Sequence, residues 1–490
     1  MEQNEREPNQ GVTFAADDDG RRSTSAVGRA VVADALGAVD PTGARAVMGE
    51  ATWRSGYPEH LRRLVEAGLV SPQAPVDVAR TGLHSLCGRM RVGGGVEDAE
   101  LSAWPETGTD LHGVEVVGNG AAVKELVLPY RGERLRGPGI RRRIEEWVAA
   151  GVVEPSVAQA VEAVLDNPDW LRLEGRTVAV LGAGSEMGPL PSLMRWGARV
   201  AAVDLDRPDI WRRVLPMVKD GAGTLIAPVP GNRDGALDEV AGVDLLADVP
   251  AIERWLLDLP GPLVLGNYVY ADGADNLRLS VAVDELTTRL QRDRDDLALA
   301  FLATPTDVFV VPGEAVEHST RSYQDRTARS KALGRPLRTL SGGRLLRRQY
   351  VAGADPGIND SLVPQQGPNY ALAKRVHRWR ATVARHDGSL VSMNVAPPTR
   401  TRSVVKNRAL AAAYAGAHRF GVEVFDPSTS NVLMAALLVH DLHTGGGPAY
   451  DHPWKDEAHA AAHGGLWRSA YAPRSALGLA AVLGFGATRG

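Results

Sequence analysis

Tyr370 and Lys374 stand four residues apart in the run NYALAKR (369–375). On a helix this spacing puts both side chains on one face, where a Lys ammonium can reach a phenol and lower its pKa. A phenol so tuned exchanges a proton near neutral pH. The same spacing also occurs on solvated helix surfaces. With only 10 Tyr and 6 Lys in the chain, however, roughly 0.12 Y-x-x-x-K matches are expected by chance. Chemistry at this pair needs a strand that ends beside it and a site for a second reactant.

Composition narrows what the second reactant can be. The 490 residues carry a net charge of −4, so nothing in the bulk charge attracts nucleic acid or an anionic membrane, and neither is expected as a partner. Cys87 is the only cysteine, which rules out an intrachain disulfide and any multi-Cys metal site and fits a reducing cytoplasm. Residues 1–25 are polar and are expected to be disordered, without the apolar core of a secretory signal. No apolar run approaches the length that spans a membrane.

Residues 26–170 read as a mostly helical N-terminal domain broken by Gly- and Pro-bearing loops. LVEAGLVSP (64–72) and WVAAGVVEP (147–155) end alike, which a shared way of stopping a helix explains. The stretch 155–170 reads as a helix with Ser156 as N-cap. From 171 to 490 the period changes. TVAVLGAG, ARVAAVDLD, PLVLGNYVY, LALAFLAT and SLVSMNVAPP are short apolar runs alternating with helical ones. They predict an α/β fold with a doubly wound parallel sheet covered on both faces.

The segment 177–207 reads as strand, glycine turn, helix and a second strand ending in an acid. Gly182 permits the tight turn, and Gly184 or Gly188 lets backbone approach a pyrophosphate at the helix N-terminus. Asp204, 22 residues after Gly182, stands where a carboxylate accepts from the ribose hydroxyls of NAD and repels the 2′-phosphate of NADP. NAD is therefore the expected cofactor, with NADP the weaker alternative.

Together these pieces resemble the short-chain dehydrogenase/reductase family over about residues 174–425. The family turn T-G-x-x-x-G-x-G stands here as Leu181, Gly182, Ala183, Gly184, Ser185, Glu186, Met187, Gly188, with Glu186 at the middle glycine. The resemblance makes LLADVPAIERWLLDL (245–259) the third strand and its helix, with Asp248 on the adenine and residues 223–242 inserted before it. It places Asn267 and Gly273 in the turn after the fourth strand, and Pro397 and Thr401 after the sixth. It implies that Tyr370 is the acid/base and that Lys374 tunes it and holds the nicotinamide ribose. A hydroxyl on the preceding strand would bind the carbonyl. Thr304 takes that role, with residues 307–366 an insertion over the site; Ser361 is the runner-up.

VHDLHTGGGPAYDHPWKDEAHAAAH (439–463) holds five of the 12 histidines. His459 and His463 could chelate a metal from one helix face, but solvated or substrate-lining histidines suit such a loop better, and no metal is expected. GLAAVLGFG (478–486) reads as a packed terminal element or an oligomer contact. The expected protein is a homo-oligomeric oxidoreductase of this type acting on the carbonyl or alcohol of a small-molecule substrate. Two alternatives are a non-redox use of the bound dinucleotide and a binding module without turnover.

Overall fold

The computed structural model describes residues 11–94, 98–106 and 108–485. The chain begins with strand β1 (Gly11–Phe14), helices α1 (Thr24–Gly37), α2 (Trp53–Ala67) and α3 (Ala74–Gly88), and strand β2 (Met90–Gly93), which pairs antiparallel with β1. The leading stretch is thus ordered from Gly11, contrary to the expectation for residues 1–25; residues 1–10 lie outside the described ones. Strand β3 (Leu111–Val117) and helix α4 (Pro155–Asp166) follow. Ser156 does not cap α4: its hydroxyl accepts from the Ala460 N–H at 2.8 Å instead.

The central sheet is built from β4 (Thr177–Leu181), β5 (Arg199–Val203), β6 (Thr224–Pro230), β7 (Leu263–Asn267), β8 (Leu297–Ala303) and, after the ribbon β9 (Val308–Val311) and β10 (Gly357–Asp360), β11 (Val391–Val395). Its order is β11-β8-β7-β4-β5-β6-β3, parallel throughout except for the antiparallel edge pair of β3 and β6. The order reverses on either side of β4, so the crevice at the carboxyl ends of β4 and β7 is a topological switch point.

Each parallel strand reads as a continuous apolar run because it is buried on both faces, unlike the edge strand β3. Ala179, Leu181, Ala201, Val203, Leu265 and Leu299 face one core. Val178, Val180, Val200, Ala202, Val264 and Ala298 face the other.

Two expectations change. The third strand is Thr224–Pro230, the stretch taken for an insertion, whereas residues 245–248 form no strand. Pro228 and Pro230 disguise the strand. The N-terminal region is not a separate helical domain: β3 joins the main sheet, α1 and α3 pack on helix α5 (Gly367–His386), and α4 packs on α6 (Pro427–Thr444). One hydrophobic core runs from Val12 through Leu83 to Trp379.

Candidate functional site

Gly182 leaves β4 with φ +80°, and a Cβ there would meet the Tyr268 carbonyl oxygen at 2.9 Å. Only glycine fits this turn. The turn closes largely on itself: Gly182 and Ala183 donate to the Val203 carbonyl, Ser185 to Gly182 and Gly188 to Ser185. Gly184 N–H donates to Asp204 Oδ2 at 2.7 Å and Leu205 N–H to Oδ1 at 2.8 Å. Burial raises the Asp204 pKa, and those two N–H groups offset part of the rise. One carboxylate thus stitches the glycine turn to the end of the second strand, with lone pairs left on both oxygens.

Glu186, at the family's middle glycine, is neutralised. Its Oε2 accepts from the Arg402 backbone N–H at 2.8 Å and its Oε1 from Arg402 Nε at 2.9 Å. The following helix, Leu190–Trp196, is short, with Pro189 and Pro191 bracketing its start, so it offers few free N–H groups. Asp248 is displaced from its expected place. It sits at the start of helix Val249–Leu257, where it accepts from Thr109 Oγ1 at 3.2 Å. Asn267 ends β7 in the crevice, and its Nδ2 is buried without a hydrogen-bond partner. An unpaired buried donor is costly, and at a strand end in a crevice it suits a ligand acceptor.

At the reacting end, Thr304 follows β8 directly, and Tyr370 lies in the first turns of α5. The Tyr370 hydroxyl lies near the Thr304 and Gln366 side chains, close enough for both to act on its ionisation. Thr304 Oγ1 lies 2.9 Å from Thr306 Oγ1, which donates to Gln366 Oε1 at 3.1 Å. Because Thr306 gives its proton to an amide oxygen, Thr304 donates to Thr306 and keeps lone pairs for the phenol. The other hydroxyl considered, Ser361, is buried and donates to Asn359 Oδ1 at 2.6 Å; it is engaged within the β9–β10 ribbon.

Lys374 is half-buried one turn along α5, its Nζ 5.9 Å from the centre of the Tyr370 ring. The expected depression of the phenol pKa is not seen. Burial raises it, and the nearby Thr304 and Gln366 side chains offset only part of the rise. Burial acts on the ammonium too, pushing Lys374 down to about 8. The low-polarity surroundings of the pair outweigh their mutual effect.

Sequence reasoning missed three neighbours. Tyr270 meets the Tyr370 ring at 6.4 Å and 65°. Tyr414, on helix Arg408–Gly416 after the sixth strand, lies close enough for the Tyr370 phenol to raise its pKa, after the larger effect of burial. Gln366 immediately precedes α5. Only the NYVY run (267–270) beyond β7 signalled any of them. Pro397 follows β11, and its carbonyl accepts from Thr399 Oγ1 at 2.8 Å.

The histidines go elsewhere. His463 is buried against Glu154, Nε2 to Oε1 at 2.9 Å, and His459 stands outside the short helix Pro453–Ala458, so the two share no helix face. Among the described residues no group of three or more His, Cys, Asp or Glu could hold a metal ion. No described helix is long and apolar enough to cross a membrane.

No protein-family model and no curated protein matches the chain. Several solved structures are similar to it. A short-chain dehydrogenase/reductase from Serratia marcescens is 16% identical, with 54% of this chain and 91% of that one covered and a TM-score of 0.31. The promiscuous reductase LugOII, which catalyses keto-reduction at C1 during lugdunomycin biosynthesis, is 15% identical over 60% of this chain and 99% of that one, with a TM-score of 0.33. A thiolation-reductase di-domain from an archaeal non-ribosomal peptide synthetase is 11% identical over 52% and 51%, with a TM-score of 0.27.

Proposed function

We propose that the chain is an NAD-dependent oxidoreductase that reduces the carbonyl of a small organic molecule, or oxidises the corresponding alcohol. The observation that carries this reading is the grouping of Thr304, Tyr370 and Lys374 at the carboxyl end of β8, beside the switch-point crevice. The unpaired Nδ2 of Asn267 and the Asp204 carboxylate fit a dinucleotide along that crevice, with Gly182, Gly184, Ser185 and Gly188 forming the turn beneath it. The dinucleotide would supply the hydride.

The protein's own part is proton handling. Burial keeps the Tyr370 phenol protonated at neutral pH, so it is ready to give its proton to a carbonyl oxygen, and reduction is the favoured direction there. To hold that oxygen the Thr304 hydroxyl would turn its proton from Thr306 Oγ1 to the substrate. Lys374, with a pKa of about 8, holds the ribose hydroxyls and passes a proton toward the phenol.

The test follows NADH absorbance with a panel of aldehydes and ketones, comparing the parent with Tyr370→Phe. Parental turnover falling about 10²–10⁴-fold in a folded variant supports the proposal. Retention of NAD without reduction of any carbonyl points to the non-redox alternative, and absence of NAD binding sinks the proposal.

A further inference from the structure

A cavity of about 310 Å³, lined by none of the crevice residues, lies between α2, the segment 344–347, β10 and the start of the terminal helix α7 (Pro473–Gly484). Its wall holds four arginines, Arg62, Arg344, Arg347 and Arg474, with Glu59 and Asp360 as the only acids and no hydrophobic side chain. The two acids are already engaged by Arg474, which lies 2.8 Å from Asp360 Oδ2 and 3.7 Å from Glu59 Oε1. Arg62 pairs with Glu66 along its own helix at 2.7 Å. The guanidinium groups of Arg344 and Arg347 have no hydrogen-bond or ion-pair partner among the described residues.

This arrangement is built rather than incidental. The backbone around Arg347 is fixed on both sides: its N–H donates to Ser475 Oγ at 3.0 Å, and its carbonyl accepts from Ala472 N–H at 2.9 Å. The short pairing of 346–348 with 471–475 therefore holds the backbone of Arg347 in place, and Arg344, whose N–H donates to the Ser341 carbonyl, adds a second unpaired guanidinium to a cavity lined by two more arginines. Like charges so gathered repel one another, and the cavity keeps two positive charges in excess of its acids. A dianion would remove that excess. Guanidinium forks match phosphate oxygens in pairs, and a wall with no apolar side chain suits a small polar ligand rather than an aromatic one.

We propose that this cavity binds a phosphate dianion, either free phosphate or the phosphate of a small phosphomonoester, through Arg344 and Arg347. The site is independent of the oxidoreductase reading. Titration calorimetry of the full chain, with ionic strength held by chloride, compares inorganic phosphate with glycerol 3-phosphate. Saturable binding of either supports the site, and the tighter of the two identifies the source of the phosphate. Arg344→Ala with Arg347→Ala should weaken binding at least about tenfold, since each lost charge-assisted contact contributes on this scale. Both side chains are exposed, so the double variant should keep the parental melting temperature in the absence of phosphate. Tyr370→Phe, which alters the other site, should bind phosphate as the parent does. No saturable binding by the parent, or equal affinity in the double variant, overturns the proposal.

Discussion

The phenol of Tyr370 lies near the Thr304 hydroxyl, although the whole of 307–366 separates them in sequence. The proximity exists because β8 ends at Ala303, in the crevice, and the intervening chain folds as a ribbon that returns α5 to the same strand end. Thr304→Val keeps the shape and removes the hydroxyl, so turnover should fall about 10–100-fold if the hydroxyl holds the substrate oxygen. Thr304→Ser should restore most of it, while Ser361→Ala should cost stability through the lost Asn359 contact but not turnover. Steady-state kinetics of the three variants decide this, and full activity in Thr304→Val would remove Thr304 from the site.

Lys374 gives a prediction that joins stability to chemistry. Folding lowers its pKa from 10.5 to about 8, so between those values the unfolded chain holds the extra proton. Stability then rises as pH climbs through this window, and the gain is lost as pH falls through about 8. No acid pairs with the ammonium among the described residues. Lys374→Met should therefore be more stable than the parent at pH 7 by about 1–2 kcal/mol, allowing for partial solvent screening, and the difference should shrink toward pH 10.5. It should also lose most turnover. Melting curves across pH read the first effect and kinetics the second; a stabilised variant with parental turnover would make Lys374 a packing residue.

How much of this was legible in the sequence depended on how local its cause is. The parallel strands announced themselves because each is buried on both faces, leaving no polar side to interrupt the apolar run. Asp204 and Gly182 were legible through spacing, since a tight turn with positive φ leaves glycine few substitutes. β6 was missed because prolines broke its pattern. β3 was missed because it is an edge strand whose Glu115 and His112 are exposed, and the run LHGVEVV alternates. The merging of the N-terminal helices with the main core could not be read, since their partner faces on α5 lie hundreds of residues away. Nor could the rise in the Tyr370 pKa, which comes from burial set by the whole fold rather than from its i+4 neighbour.

The position of α5 rests on a buried charge cluster that the reaction does not use. Asp307, 1% exposed, accepts from Arg375 Nη2 and Arg378 Nη1, each at 2.7 Å. Burial alone would raise its pKa, but the two guanidiniums more than offset this and hold it below the ordinary value. The stability it contributes is present above the ordinary carboxylate pKa and is lost as pH falls below it. Asp307→Asn leaves two buried cations short of a partner, so the urea midpoint should drop by the equivalent of about 3–5 kcal/mol. The acid side of the stability profile should flatten as well. A loss under about 1 kcal/mol would mean that Glu457 and the Val308 carbonyl suffice for Arg378 and that Arg375 tolerates the loss of its only acid partner.

Cofactor choice turns on Asp204, whose carboxylate does two jobs. It ties down the Gly184 N–H, and in the proposed complex its remaining lone pairs accept from the ribose hydroxyls of NAD. A 2′-phosphate in that place would meet a half-buried carboxylate, so the parent should prefer NAD over NADP. Asp204→Ser keeps a short acceptor near the turn but removes the charge, and Arg207 immediately precedes the following helix, on which Arg213 lies. The variant should lose the preference, with NADP binding improved and NAD binding weakened about tenfold, the scale of one charge-assisted hydrogen bond. Asp204→Asn separates the two jobs in part, because its one oxygen can still accept from Gly184, at the cost of the Leu205 N–H contact, while the charge repulsion is gone. Fluorescence titration with NADH and NADPH reads both affinities. If the parent binds NADPH more tightly than NADH, Asp204 does not read the ribose, and Arg207 and Arg213 become the groups to replace next.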